Sequence, residues 1–232
     1  MALSDAVRTE APGRGIHFEP DGRRTLGYRL ARLVFTGIVG LWFRPRVTGK
    51  EHVPRHGPVI LAPVHRSFAD FGFNAFVTRR KLFFMAKDEL WGSRILGWLL
   101  LVLGAFPVHR ESADREALRH AEEVLRRGQV LVLFPEGTRQ VGSEVAELLE
   151  GAAFLSARTG APIVPVGIGN SDLAMPKGRR IPKPLRIRVV VGAPLEPPGR
   201  SEGGRVSRSR VHATTEELRS RIQLVYDEAR TT

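Results

Sequence analysis

His65 and Asp70 are the residues of this 232-residue chain best suited to move a proton. A carboxylate on one imidazole nitrogen fixes the tautomer and leaves the other nitrogen free to accept a proton, which is a general base in outline. His65 follows the apolar run Val59-Ile60-Leu61-Ala62, which reads as a buried strand. It precedes Phe71-Gly72-Phe73-Asn74-Ala75-Phe76-Val77, which reads as the first turns of an apolar helix. A side chain on such a strand-to-helix turn is held rigidly and still meets substrate. Ser67 and Asp70 have the Ser-x-x-acid form of a capping box, in which the carboxylate folds back toward the residues ahead of the helix. The same spacing also suits an ordinary helix cap beside a loop histidine, so the stretch needs support from elsewhere.

That support comes from Phe134-Pro135-Glu136-Gly137-Thr138-Arg139. The hexapeptide leaves the apolar run Gln129–Phe134 on a proline and turns on a glycine. Such a turn can cradle a phosphate: Gly137 permits close approach, Thr138 donates a hydroxyl and Arg139 binds in bidentate fashion. The spacing is not that of a Walker loop, and a plain tight turn with a surface arginine is the simpler reading. Arg110, after the short apolar run Ala105–Val108, is a second candidate for a phosphate contact or a solvated side chain.

The elements that must position these residues alternate. Strands are expected near 59–62, 82–86, 105–108, 129–134, 163–168 and 185–191. Helices are expected from Ser112 to the stop at Gly128, over about 145–158, and from Thr214 onward. The stretch 171–184 is basic and rich in Pro and Gly, and reads as a loop. This order predicts an α/β fold with a mainly parallel mixed sheet flanked by helices, with functional residues at strand ends. The first 25 residues read as a flexible lead-in without a secretory signal. Residues 26–46 read as an amphipathic, membrane-associating helical segment. There Arg29 and Arg32 share one face, and Leu30, Val34, Ile38 and Leu41 lie opposite. The arginines would face lipid headgroups, although such a helix could equally pack on the domain. A second apolar stretch, Ile95–Phe106, is either a buried helix or a shallow membrane contact, and no apolar run reaches the length of a membrane span.

Composition narrows the classes. With no cysteine, disulfides, thiolate metal sites and cysteine nucleophiles are excluded. The net charge is +12 and only five of the 36 basic residues are lysine, which favours phosphate binding or an anionic surface. No aromatic-interleaved basic patch or nucleic-acid module is present, so nucleic acid is not an expected partner. The remaining histidines form no convincing metal spacing.

In order and spacing, His65-x4-Asp70, Gly104-x5-Arg110, Phe134–Arg139 and Ala161-Pro162-Ile163-Val164-Pro165-Val166 resemble the four sequence blocks of the glycerolipid acyltransferases. These include the 1-acyl-sn-glycerol-3-phosphate acyltransferases. The likeness implies an acyltransferase domain over 47–232 behind a membrane-associating segment, peripheral on the cytoplasmic face of the cell membrane. It implies transfer of a fatty acyl group from acyl-CoA or acyl-carrier protein to a glycerol-phosphate lipid acceptor at an anionic membrane surface. The expected product is phosphatidic acid; acylation of glycerol 3-phosphate is the alternative within the family, and a non-catalytic basic protein is the remote one. Carried over by position, His65 is the base and Asp70 its orienting partner. Glu136, Gly137, Thr138 and Arg139 line the acceptor phosphate site with Arg110 helping, and Pro165 shapes the pocket. No cofactor beyond the acyl thioester co-substrate is implied, because a thioester is already activated. The chain departs from the family pattern at Glu150, where many relatives place a basic residue, and at Val108-His109 before Arg110.

Overall fold

The computed structural model describes residues 26–87, 104–108, 115–176, 181–199 and 206–231. Among these residues, seven strands form one sheet in the order β1-β7-β6-β2-β5-β3-β4. They are β1 (Arg46–Thr48), β2 (Val59–Pro63), β3 (Leu82–Lys87), β4 (Ala105–Val108), β5 (Val130–Val132), β6 (Ile163–Gly169) and β7 (Arg188–Val191). All neighbouring strands run parallel except β6 and β7. The central strands are buried along their whole length. That is why they read as unbroken apolar runs and not as alternating ones.

The helices are α1 (Leu26–Phe43), α2 (Asp70–Phe73), α3 (Arg115–Arg126), α4 (Gly151–Thr159), α5 (Ser171–Ala174) and α6 (Arg208–Arg230). α3, α4 and α6 pack on the strands and on one another. α6 lies so close on β6 that a Cβ at Gly167 or Gly169 would stand 2.1 Å from the Val225 carbonyl oxygen or 2.0 Å from that of Ala229. The two glycines of this strand therefore set the helix–sheet spacing.

Strand direction gathers the candidate residues on one edge. The carboxyl ends of β2, β5 and β6 point the same way, and they lead into the His65 turn, the Glu136 turn and α5. β7 runs against β6, and β1 runs with β7. The residues before them, 43–45 and 181–187, therefore come to that edge as well. Ligand sites of open α/β sheets belong there.

Several expectations need correction. The helix expected over 145–158 begins only at Gly151. Residues ahead of it direct their backbone groups elsewhere: the Val145 N–H donates to Gln223 Oε1, Ala146 to Glu136 and Leu149 to the Pro135 carbonyl. α6 starts at Arg208, ahead of Thr214, because Val211 continues the buried face that runs through Leu218, Ile222 and Tyr226. The loop over 171–184 contains α5. The edge strand β1 has no counterpart among the expected elements, since three residues with exposed Arg46 and Thr48 carry no pattern.

α1 combines the two readings given to it. Tyr28 and Phe43 are buried, Phe43 edge-on against Phe73 at 5.2 Å. Leu30, Val34, Ile38 and Leu41 are exposed. Arg32 does not turn outward: its guanidinium is donated to the carbonyls of Ala75, Thr78 and Arg80 and to the Tyr28 hydroxyl, which bolts the helix to the domain. With 18 residues and a mean hydropathy of 1.2, α1 is long and apolar enough to cross a membrane by length and composition, contrary to the expectation for this chain.

Candidate active site

β2 delivers His65 at its carboxyl end, and the short helix α2 begins with Asp70. His65 Nδ1 lies 3.3 Å from Asp70 Oδ2, with Asp70 fully buried and the imidazole 14% exposed. An Nδ1–H donated to this carboxylate leaves Nε2 as the proton acceptor. The same Asp70 oxygen accepts the backbone N–H groups of Arg66 and Ser67, both at 2.6 Å. The acid half of the capping box therefore forms. The serine half does not close on the helix: Ser67 Oγ donates to the Met175 carbonyl at 3.1 Å and accepts from the Ala69 N–H. Asp70 Oδ1 is buried with no hydrogen-bond partner among the described residues. The carboxylate therefore meets the histidine and the two turn amides through Oδ2 alone.

The backbone of His65 is clamped as firmly as its ring. Its N–H donates to Glu136 Oε2 at 2.8 Å, and its carbonyl accepts from the Gln140 N–H at 2.9 Å and from Arg66 Nη1 at 3.1 Å. The ring packs on Phe134 with centroids 4.2 Å apart. These contacts join the β2 turn to the β5 turn, whose strands are neighbours in the sheet at about 4.8 Å.

Arg66 is the group that sequence reasoning missed. Its side chain and that of Glu136 are both fully buried, and Nη1 donates to both carboxylate oxygens at 2.8 Å. Nη2 donates to the Glu144 carbonyl at 2.8 Å, Nε to the Gly142 carbonyl at 3.2 Å, and the guanidinium lies 5.0 Å over the Tyr226 ring. Burial raises the Tyr226 phenol above its ordinary value, Asp172 adds to that rise, and the Arg66 and Arg230 charges oppose it. The only signal in the sequence is an arginine between His65 and Ser67, and a single arginine in a polar turn is too common to stand out.

Glu136 is expected from the sequence to line a phosphate site. Its carboxylate is instead turned inward, taken up by Arg66 and by the N–H groups of His65 and Ala146. The turn after it does face out. Gly137 has φ +69° and sits against Leu149, whose Cδ1 would stand 2.8 Å from any Cβ there. Thr138 and Arg139 are exposed, and no partner engages the Arg139 guanidinium among the described residues. Pro165 is buried in β6 opposite Ala62. Arg110 and His109 lie outside the described residues, as does most of Ile95–Phe106.

A proton acceptor backed by a buried carboxylate, one strand away from an open Gly-Thr-Arg turn, is an arrangement for activating a hydroxyl on an anionic substrate. The acyltransferase family pattern matches residues 44–169, more than half of the chain and all of this arrangement. The chain belongs to the glycerolipid acyltransferase family. It is 27% identical over 198 residues to the 1-acyl-sn-glycerol-3-phosphate acyltransferase of Bacillus subtilis (strain 168), covering 84% of this chain and 95% of that one. It is 25% identical over 177 residues to the chloroplastic 1-acyl-sn-glycerol-3-phosphate acyltransferase LPAT1 of Arabidopsis thaliana, covering 75% of this chain and 49% of that one. It thus spans about half the length of the plant relative. Among solved structures it resembles the 1-acyl-sn-glycerophosphate (LPA) acyltransferase PlsC of Thermotoga maritima. The TM-score is 0.70 at 25% identity, covering 88% of this chain and 81% of that one.

The departure at Glu150 has a local explanation in this chain. Glu150 immediately precedes α4 and lies 3.3 Å from His212 of α6, so it ties two helices together on the exposed surface.

Proposed function

We propose that the protein transfers an acyl group from acyl-CoA or acyl-carrier protein to the free hydroxyl of 1-acyl-glycerol 3-phosphate, giving phosphatidic acid. His65 Nε2 takes the hydroxyl proton as the oxygen attacks the thioester carbonyl carbon. Asp70 holds the other nitrogen and stabilises the imidazolium. The tetrahedral anion then collapses, the carbon–sulfur bond breaks, and the imidazolium returns its proton to the departing thiolate, which leaves as a thiol. An alcohol is a poor nucleophile at neutral pH, so a positioned base contributes roughly 10²–10⁴-fold. Thr138 and Arg139 hold the acceptor phosphate; fixing it orients the hydroxyl toward His65. Glu136 and Arg66 act through His65 and do not touch substrate.

The observation that carries this reading is the pairing of His65 Nδ1 with Asp70 Oδ2 at 3.3 Å on the sheet edge that also bears the Gly137–Arg139 turn. The likeness to the Bacillus enzyme over 95% of its length favours the lysophosphatidate acceptor. We place the protein peripherally on the cytoplasmic face of an anionic membrane, and the exposed apolar stripe of α1 supports the membrane attachment. An acceptor panel tests the assignment: purified protein is given glycerol 3-phosphate, 1-acyl or 2-acyl lysophosphatidate, each with either thioester. Phosphatidic acid from the 1-acyl acceptor is expected. Turnover of glycerol 3-phosphate in its place overturns the choice of acceptor.

A further inference from the structure

The segment that follows the Arg139 turn is held by side chains. Residues 142–145 belong to no helix or strand, yet every one of their carbonyls accepts from a side chain. The Gly142 carbonyl accepts from Arg66 Nε at 3.2 Å and from the Tyr226 hydroxyl at 3.4 Å. The Ser143 carbonyl accepts from Gln223 Nε2 at 3.0 Å, that of Glu144 from Arg66 Nη2 at 2.8 Å and that of Val145 from Arg219 Nε at 3.1 Å. The Val145 N–H donates to Gln223 Oε1 at 2.8 Å. Backbone polar groups must find partners somewhere. Here the partners come from Arg66 and from one helix, α6.

The contributors from α6 are Arg219, Gln223 and Tyr226. They are spaced four and then three residues apart, which puts them on one face of the helix. This polar stripe borders the buried row of Leu218, Ile222 and Val225, so its place is set by the packing of α6 on the sheet. Gln223 is satisfied on three sides: Oε1 takes the Val145 N–H, and Nε2 donates to the Ser143 carbonyl and to Asp227 Oδ1 at 2.9 Å. The reverse orientation would set an oxygen against two oxygens, so the partners fix the amide.

The clamp closes a loop that carries the Gly137–Arg139 turn. Glu136 Oε1 accepts the N–H of Ala146, ten residues further on. Within that loop the Gln140 N–H is donated to the His65 carbonyl. Arg139 thus projects between an entry fixed at Glu136 and Gln140 and an exit fixed at 142–145. The acyltransferase family pattern ends at residue 169, so the α6 stripe lies outside it.

We propose that Arg219, Gln223 and Tyr226 are positioning residues for the acceptor: α6 holds the loop behind Arg139 and thereby sets where the acceptor phosphate sits relative to His65. The proposal rests on the assignment of that phosphate to Thr138 and Arg139, and deepens it. The stripe does not touch substrate. Loosening it leaves the His65–Asp70 pair in place and lets the Arg139 turn drift, so acceptor binding suffers and use of the thioester does not.

Gln223→Met and Arg219→Met, in the full-length protein, test this alone and combined with Arg139→Ala. With 1-acyl lysophosphatidate each single variant is expected to raise the acceptor KM by about three- to tenfold, with kcat and the thioester KM within about twofold of wild type. In the Arg139→Ala background the same substitutions are expected to move the acceptor KM by less than about twofold, because the contact they position is already gone. Arg219→Lys keeps a donor for the Val145 carbonyl and is expected to recover most of the wild-type KM. The Arg219 variants alone decide the matter if Gln223→Met does not fold. Equal rises in acceptor KM with and without Arg139 overturn the proposal, as does a lowered melting temperature or active fraction with the acceptor KM unmoved. If Arg139→Ala raises the acceptor KM and neither methionine variant does, the clamp falls and the phosphate assignment stands. If Arg139→Ala leaves the acceptor KM unchanged, both fall together.

Discussion

Replacing Glu136 by glutamine separates two roles that this residue could have. The substitution keeps the shape but removes the charge and one of two acceptor oxygens. In the native structure those oxygens serve three donors: Arg66 Nη1 at 2.8 Å to each, His65 N–H at 2.8 Å and Ala146 N–H at 3.1 Å. The amide of Glu136→Gln can accept on one side only, leaving a fully buried Arg66 guanidinium without its counter-charge. Breaking a buried pair from one side costs about 3–5 kcal/mol. For a domain of this size each kcal/mol corresponds to about 2–4 °C, so the melting temperature should fall by roughly 6–20 °C. Because the carboxylate fixes the His65 backbone, the imidazole should lose its position. A displacement near 1 Å can cost on the order of 10²-fold, so a loss of kcat of about 10- to 100-fold is expected, with the acceptor KM little changed. Steady-state kinetics against acceptor concentration, run well below the lowered melting point, read both parameters. A tenfold rise in acceptor KM with kcat and melting temperature intact would refute the positioning role and put the carboxylate on the substrate.

Three further outcomes are expected. Asp70→Asn should lower kcat by about 10²–10⁴-fold, since the amide no longer fixes the tautomer or offsets the imidazolium, with acceptor KM largely retained in the same kinetics. Arg139→Ala should raise the acceptor KM by on the order of tenfold or more, as befits one lost charge-assisted contact of about 1.5–3 kcal/mol, and should leave the melting temperature unchanged because the side chain is exposed. Burial raises the folded-state pKa of Tyr226 above its ordinary 10.0, so the unfolded chain ionises this phenol first. Its contribution to stability is whole below about pH 10 and is lost as pH climbs past that value, and denaturant titrations between about pH 9 and 11 should show a smaller fall in Tyr226→Phe.

The parts of the fold visible in the sequence are those whose burial is complete. β2 and β6 are covered on both faces, so their apolar runs are unbroken and their identity as strands is plain. The turn chemistry after β2 and β5 is also legible, because His, Asp, Gly, Thr and Arg each carry a local meaning. What escapes is set by long-range pairing. Arg66 and Glu136 stand 70 residues apart, and nothing local says that one will neutralise the other. Read alone, Glu136 in an exposed-looking turn suggests a substrate contact. The segment 145–150 has a helical pattern, yet its amides are drawn off by Glu136, Gln223 and Pro135, which only the assembled sheet edge can reveal. Arg32 suggests a headgroup contact by its place on an amphipathic helix. It is taken up instead by the carbonyls of Ala75, Thr78 and Arg80, which lie between α2 and β3.

The most direct test of the central claim compares wild-type protein with His65→Ala on 1-acyl lysophosphatidate and a long-chain acyl thioester, following phosphatidic acid by mass spectrometry and free thiol in the same reaction. The wild type should release one thiol for each phosphatidic acid formed. The variant should bind acceptor as before yet turn over about 10²–10⁴-fold more slowly. Phosphatidic acid formed by His65→Ala at near the wild-type rate would contradict the mechanism, and thiol release without phosphatidic acid from the wild type would contradict the assigned reaction.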